Sequence, residues 1–120
     1  MEQLQAQLQE KVEKLQTMQK TQQKTLVARQ TLDSQINENK LVKEELDRLD
    51  DDARVFKLIG PALIKQETTE AKQNVDKRID YITGELKRHD ETLADLDKKQ
   101  DELRSDLQNL QTQMQKLAQA

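Results

Sequence analysis

The chain has 120 residues, of which 33% are hydrophobic, 2% aromatic and 36% charged, and its net charge at pH 7 is −3. So few apolar and aromatic residues cannot fill the core of an ordinary globular domain of this length. The 20 basic and 23 acidic residues are finely interspersed, which argues against nucleic acid or an anionic membrane as the main partner. The absence of cysteine excludes disulfides, thiolate metal sites and cysteine nucleophiles.

The start of the chain lacks the features of a targeting segment. Residues 1–5, MEQLQ, contain neither a basic region nor an apolar stretch, so we do not expect a signal peptide. No apolar run approaches the ~18 residues that a membrane-spanning helix needs. We therefore expect a soluble chain of a reducing compartment. Intrinsic disorder remains the rival interpretation unless the apolar residues recur at helical spacing.

Residues 1–53 are predicted to form a long helical arm. They contain no Gly or Pro and are rich in Gln, Glu, Lys and Leu, all of which favour helices. Their apolar residues recur at steps of three and four, the spacing of a coiled coil. These residues are Leu4, Leu8, Leu15, Met18, Leu32, Ile36, Leu46 and Leu49. From Leu32 onward a better row runs through Asn39, Val42, Leu46, Leu49, Ala53 and Phe56. One row thus slips by one residue, and we expect the coil to loosen or change its crossing near residues 22–30.

Three consecutive acids, Asp50, Asp51 and Asp52, follow in the sequence. They suggest a cation site, but hard cations need several converging oxygens at loop spacing, and no loop motif of that kind is present. We favour the interpretation that these acids form a solvated helix end.

Residues 54–67 include the most apolar stretch of the chain, VFKLIGPALIKQ. Two short segments of branched residues, Val55–Ile59 and Ala62–Ile64, flank Gly60-Pro61, and this pattern predicts a β-hairpin. Because Pro61 biases Gly60 toward extended geometry, we expect a loop slightly longer than two residues. Apolar side chains on both faces and open strand edges invite pairing with other chains. We therefore expect other subunits to bury this hairpin.

Residues 68–120 are predicted to form a second helical arm. Thr68 or Thr69 is a candidate N-cap, and Glu70 in the first turn suits the helix dipole. The coiled-coil positions of this arm are Val75, Ile79, Ile82, Leu86, His89, Leu93, Leu96, Gln100, Leu103, Leu107, Leu110, Met114 and Leu117. His89 lacks the partners that catalysis or metal binding requires, so we interpret it as a polar layer of the coil.

Two basic pairs lie in the second arm, Lys77-Arg78 and Lys87-Arg88. They could contact phosphates, but they are surrounded in the sequence by Asp76, Asp80, Glu85 and Asp90. A solvated helix face is therefore the interpretation we favour. Tyr81 is expected to pack near the hairpin.

The two arms are predicted to pair antiparallel around the hairpin. If Gly60 and Pro61 mark the fold-back, the numbers of facing residues should sum to 121 or 122. The predicted pairs are Leu4 with Leu117, Leu8 with Met114, Leu15 with Leu107, Ile36 with Leu86, and Gln22 with Gln100. The predicted fold class is mainly α, a long antiparallel two-helix coiled coil with one central β-hairpin.

The segment KLIGPALIKQ, followed by AKQNVDKRIDYITGELKR and set between two heptad helices, resembles prefoldin. A single hairpin between the helices is the β-class arrangement. The resemblance implies one domain over residues 1–120, with helical arms at 1–53 and 68–120 and the hairpin at 54–67. It also implies a cytosolic, ATP-independent co-chaperone of two α-class and four β-class subunits, whose hairpins form a β-barrel. Such a hexamer binds unfolded proteins such as actin and tubulin, without a cofactor, and delivers them to the cytosolic chaperonin.

The resemblance assigns roles to two groups of residues. Assembly would rest on the hairpin residues Val55, Phe56, Leu58, Ile59, Leu63 and Ile64. Client contact would rest on apolar residues near the two termini, Leu4, Leu8, Leu110, Met114 and Leu117. No catalytic constellation is present, which argues against an enzyme. The alternative is a structural coiled-coil scaffold or tether with one fixed partner, although a plain tether needs no β segment.

Overall fold

The computed structural model describes residues 1–50 and 53–119. Its elements in chain order are α1 (Glu2–Asp47), β1 (Val55–Ile59), β2 (Ala62–Gln66) and α2 (Thr68–Gln119). The predicted fold class, two long helices joined by one antiparallel β-hairpin, is confirmed. Helix α1 ends before the three-aspartate run. Asp50 follows the helix and its carbonyl accepts a hydrogen bond from the Ala53 N–H at 3.0 Å, whereas Asp51 and Asp52 lie outside the described residues.

The chain divides into two compact units, and each contains a piece of both helices. One unit is Met1–Ala28 with His89–Ala120, and the other is Arg29–Arg88. In the first unit, Lys11 Nζ lies 3.3 Å from Asp106 Oδ2. In the second unit, Lys43 Nζ lies 2.8 Å from Asp76 Oδ1. Within each unit, therefore, α1 contacts α2, and the contact in the second unit joins residues nearer the hairpin on both helices, as the antiparallel prediction requires.

The packed stripe of α1 follows one heptad pattern without a shift. Buried or half-buried residues recur at steps of four and three, at Leu4, Leu8, Lys11, Leu15, Met18, Gln22, Thr25, Arg29, Leu32, Ile36 and Asn39, and Leu46 continues the pattern. Of the row predicted from Leu32 onward, Asn39, Leu46 and Ala53 are packed. Val42, Leu49 and Phe56 are exposed, so the predicted slip of one row is wrong. The prediction failed because it did not treat polar residues as packed positions of α1. Long side chains such as Lys11 and Arg29 can pack their aliphatic stems while their charged ends reach water.

The packed stripe of α2 is the predicted one, because every predicted position from Val75 to Met114 is buried or half-buried. Its last predicted position, Leu117, is 53% exposed. The start of the helix differs from the prediction. The first helical bond runs from the Ala71 N–H to the Glu67 carbonyl at 2.9 Å, so Glu67, and neither threonine, occupies the N-cap position. A single residue separates β2 from α2, which leaves no room for a later start.

The hairpin has a two-residue loop, so the prediction of a longer one is wrong. Ile59 pairs directly with Ala62 across the turn. Gly60 has φ of +57° and is the only described residue with a positive φ. A type II′ turn needs positive φ at its first central residue and negative φ at its second, and it suits the twist of a hairpin. Gly60 and Pro61 supply those two signs without strain.

The base of the hairpin is anchored by a small apolar core in the second unit. Leu46, Ala71 and Val75 are buried together, and Val55 and Ile79 pack against them. Val55 thereby ties β1 to both helices. The rest of the hairpin extends beyond this anchor, and its exposure is described below.

Candidate functional site

The hairpin presents apolar side chains on both faces. Cross-strand partners share a face, so Leu58 and Leu63 lie together on one side, while Ile59 and Ile64 lie on the other. Leu58 and Leu63 are each 68% exposed, and Ile59, Ile64 and Phe56 are about half exposed. Only Val55 among the six predicted assembly residues is half-buried, against the core at the hairpin base.

The hairpin also leaves backbone groups unpaired. It forms a sheet of two strands, so each strand has one edge free of hydrogen bonds within the described chain. An isolated two-stranded hairpin is marginal in water, and open edges are templates for another strand. Exposed leucines on one face, isoleucines on the other and open edges together form a surface suited to burial by further β-strands.

The five predicted client-contact residues all lie in the first unit, and four of them pack into the helix pair. Leu110 is buried, Leu4, Leu8 and Met114 are half-buried, and only Leu117 is exposed. The structure thus brings the residues near the two termini into the same unit. It does not present them as an open apolar patch, so contact through the inner four requires the helix ends to separate.

A polar layer interrupts the apolar stripe of the first unit. Gln100 is 2% exposed, and its Nε2 donates to Gln22 Oε1 at 3.1 Å. Gln22 Nε2 donates to Asp97 Oδ1 at 2.9 Å, and Arg104 Nη2 donates to Gln100 Oε1 at 3.2 Å. The predicted pairing of Gln22 with Gln100 is confirmed. Both the Nε2 and the Oε1 of the buried Gln100 amide therefore have a hydrogen-bond partner.

Cross-helix ion pairs flank the packed stripe. In the second unit, the hydrogen bond and charge of Asp76 raise the pKa of Lys43 above its ordinary value of 10.5, and the charges of Asp47 and Asp80 act in the same direction. In the same unit, Lys72 Nζ lies 3.9 Å from Asp47 Oδ1. Sequence reasoning missed these pairs, although opposite charges at flanking positions of facing heptads are a recognisable pattern.

Tyr81 does not pack near the hairpin, contrary to the prediction, because its side chain is 68% exposed. It lies with Lys77 and Arg78 in an open groove between α1 and α2 of the second unit. Sequence reasoning missed this groove. A helical projection would have found it, because Tyr81 lies about 120° around α2 from the centre of the packed stripe.

The described residues contain neither a candidate metal site nor a helix that could span a membrane. No group of three or more His, Asp or Glu side chains there could hold a metal ion. His89 is half-buried on the α2 stripe, in line with its interpretation as a polar layer. Among the described residues, no helix combines the length and apolar character needed to cross a membrane.

Comparison with solved structures defines the class of fold. The prefoldin beta subunit from Thermococcus strain KS-1 superposes with a TM-score of 0.79 at 24% sequence identity, over 86% of this chain and 90% of that one. The beta2 subunit from the same strain superposes with a TM-score of 0.56 at 16% identity, over 82% of this chain and 97% of that one. The fold is therefore that of a prefoldin β subunit.

Comparison with known sequences gives the family. The family profile described as "Prefoldin subunit" matches residues 9–117. Prefoldin subunit 6 of Mus musculus is 48% identical over 94% of this chain and 89% of its own length. Prefoldin subunit 6 of Arabidopsis thaliana is 46% identical over 93% of this chain and 87% of its own length. The chain belongs to the prefoldin subunit family. Its Gly-Pro-centred hairpin and the segment KRIDYI indicate the eukaryotic subunit 6 form, and these relatives confirm that interpretation.

Proposed function

We propose that this chain is one subunit of a hetero-hexameric, ATP-independent co-chaperone, joined through its hairpin to two α-class and three further β-class prefoldin subunits. The complex binds unfolded proteins, such as actin and tubulin chains, and delivers them to the cytosolic chaperonin. It works in the cytoplasm without a cofactor and without catalysing a reaction. The family to which the chain belongs supports the chaperone role.

The observation that carries the proposal is the exposed apolar hairpin. Leu58 and Leu63 leave 68% of their surface in water in the single chain, although burial of such side chains is favourable by about 1.5–3 kcal/mol each. Strands of neighbouring subunits would cover both faces and pair the open edges. A tether with one fixed partner, the alternative function, gives no reason for this surface.

Assembly through the hairpin is tested by replacing Leu58 and Ile64 together with Asp, which places one charge on each hairpin face. We expect the variant to keep its helical circular dichroism but to stay out of the hexamer on size-exclusion chromatography, because charges would be buried without partners. Leu41→Asp, on an exposed position of α1, is the control and should assemble. Normal assembly of the Leu58→Asp, Ile64→Asp variant contradicts the proposed barrel.

Client binding is proposed to rest on the residues near the termini. Helix ends fray, and separation of α1 and α2 there exposes Leu4, Leu8, Leu110 and Met114 beside the already exposed Leu117. The thioether of Met114 adapts to irregular partners. Weak contacts from six subunits on one platform gain avidity.

The client site is tested by deleting residues 1–8 and 113–120 from this chain in the assembled complex. Suppression of aggregation of a chemically unfolded protein should weaken while the hexamer remains intact. Deletion of residues 1–3 alone, which removes none of the five residues, is the control. If the complex with the longer deletion suppresses aggregation as well as the wild-type complex does, this subunit does not bind clients through its helix ends.

A further inference from the structure

A groove on the second unit is not used by the proposed assembly or by the helix ends. It has a volume of about 410 Å³ and is lined by Gln35, Asn39, Lys77, Arg78, Tyr81 and Ile82. We call this surface the Tyr81 groove. Gln35 and Asn39 belong to α1 and the other four residues to α2, so the groove lies along the interface between the two helices. The exposed ring of Tyr81 stands at its edge, while Ile82 is buried at its floor.

The two cations of the groove carry no ion pair with any residue in the described part of the chain. Of the two acids nearest in the sequence, Asp76 places Oδ1 2.8 Å from Lys43 Nζ, and Asp80 forms no ion pair with Lys77 or Arg78 among the described residues. Farther along α2, Glu85 pairs with Arg88 at 2.6 Å, and Asp90 has a partner of its own. The acids near Lys77 and Arg78 in the sequence therefore form no ion pairs that would neutralise the positive charges of the groove.

Helical geometry separates both of the nearest acids from Arg78, whereas Lys77 lies about 60° around α2 from Asp80. At about 100° per residue, Asp76 and Asp80 both lie about 160° around α2 from Arg78. Tyr81 lies only about 60° from Arg78 and about 40° from Lys77, so its ring stands between the two cations. One flank of α2 is thus acidic and bound to α1 through Lys43, and the opposite flank combines an aromatic ring with two unpaired positive charges.

The groove continues toward the hairpin. A second groove of about 320 Å³ shares Arg78 with the first and is lined near the strands by Val42, Phe56, Lys57 and Leu58. An extended polypeptide could therefore lie along the helices and meet alternating apolar and cationic groups. A small molecule would gain less, because the Tyr81 groove is open to solvent along its length.

We propose that the Tyr81 groove binds acidic segments of unfolded polypeptides in which carboxylates alternate with apolar side chains. Arg78 and Lys77 would bind the carboxylates, Arg78 in the bidentate geometry that its planar guanidinium permits. The Tyr81 ring would cover an adjacent apolar side chain, and the Gln35 amide can donate to and accept from exposed backbone. The proposal rests on the chaperone function proposed above, and it adds a class of client sequence and a site away from the helix ends.

Charge complementarity favours an acidic peptide over nucleic acid. A polyanion longer than the groove would meet the acidic flank of α2, and the chain as a whole carries a net charge of −3. A peptide with a few carboxylates next to apolar residues matches the groove without extending to those acids.

The test uses the complex of the full chain with the subunits that co-purify with it. A fluorescein-labelled, disordered peptide of repeated Glu-Leu-Asp-Gly units is titrated by anisotropy, beside a matched Lys-Leu-Lys-Gly peptide and a single-stranded oligothymidine. We expect the acidic peptide to bind, more weakly as salt is added, and the other two probes to bind at least tenfold less tightly. Replacing Lys77 and Arg78 by Glu should weaken acidic-peptide binding by about tenfold or more.

Two further variants separate the groove from general charge effects. Tyr81→Ala should weaken binding by a smaller factor, because it removes apolar contact without altering charge. Lys87→Glu, an exposed lysine about 180° around α2 from Arg78, should leave binding unchanged. The inference is overturned if the wild-type complex does not bind the acidic peptide, if the basic peptide or the oligothymidine binds as tightly, or if Lys87→Glu weakens binding as much as the double replacement.

Two outcomes distinguish this inference from the proposed function. If the complex suppresses aggregation of an unfolded protein but does not bind the acidic peptide, the groove inference fails and the chaperone function stands. If it binds the peptide through Lys77 and Arg78 but does not suppress aggregation, the chaperone function fails. Loss of the hexamer in the Lys77→Glu, Arg78→Glu variant would identify the groove as a contact between subunits and overturn the inference.

Discussion

Single side chains decide how the two helices are aligned in each unit. A two-helix coiled coil with an almost continuous apolar stripe gains similar burial in several registers, so polar pairs are needed to select one. Gln22 and Gln100 satisfy each other only when their layers coincide, and Lys43 reaches Asp76 only in the same alignment of the second unit. The buried amide layer is less stabilising than an apolar layer but selects one register, whereas the Lys43–Asp76 ion pair selects the register and also stabilises the folded chain.

The amide pair gives a test by double mutation. Replacing Gln22 alone by Leu leaves the Gln100 Nε2 buried without its acceptor, and we expect this to lower the free energy of unfolding by about 1–3 kcal/mol. Replacing both by Leu should raise the melting temperature above that of the wild type, because apolar side chains then fill the layer. Thermal unfolding followed by circular dichroism measures both variants. A double variant that melts below the single one contradicts this account.

The Lys43–Asp76 pair gives a test by pH. Because folding raises the pKa of Lys43 above 10.5, the pair stabilises the folded chain fully below pH 10.5, and this contribution disappears as pH rises through the higher folded-state pKa. Lys43→Gln should therefore melt at a lower temperature than wild type at neutral pH, with a gap that closes above pH 10.5. Lys98→Gln, an exposed lysine with no ion pair among the described residues, is the control. A gap that persists unchanged at high pH rules out the ion pair as its cause.

At the scale of elements, periodicity made most of the fold predictable. Heptad spacing located both helices and every packed position of α2 from Val75 to Met114, and the Gly-Pro break between branched residues located the hairpin. The end of α1 at Asp47 was not predictable, since no Gly or Pro marks it. The two-residue loop was missed because the restraint that Pro61 places on its neighbour was weighed without the positive φ that glycine can adopt.

The turn offers a matched pair of glycine substitutions. Neither Gly60 nor Gly84 has a neighbouring atom within 4 Å of an added Cβ, so backbone conformation alone distinguishes them. Gly60→Ala should weaken assembly by about 1–2 kcal/mol, because alanine resists the φ of +57°. Gly84→Ala, inside α2, should raise helix stability by about 0.5–1 kcal/mol. Quantitative reconstitution and thermal melts measure the two effects. Equal effects of the two substitutions would contradict the turn assignment.

In the molecule as a whole, the most exposed apolar surface is the hairpin, which a single copy of the chain cannot bury. The apolar residues of α2 are largely packed within each unit, and α1 leaves a few exposed, such as Val27 and Leu41. The hairpin leaves five of its six predicted assembly residues exposed. Sequence alone predicted the hairpin surface from composition. A helical projection of α2 would have placed Tyr81 beside Lys77 and Arg78, but it could not show that Asp76 pairs with Lys43 of α1, because that contact depends on the folded arrangement.

The proposed function makes this chain one member of a hexamer of different subunits. The most direct measurement is native mass spectrometry of the tagged chain purified with its partners, combined with identification of each subunit. We expect one complex with a single copy of this chain, two α-class subunits and three other β-class subunits. Recovery of the chain with one fixed partner, or as an assembly of its own copies alone, would contradict it.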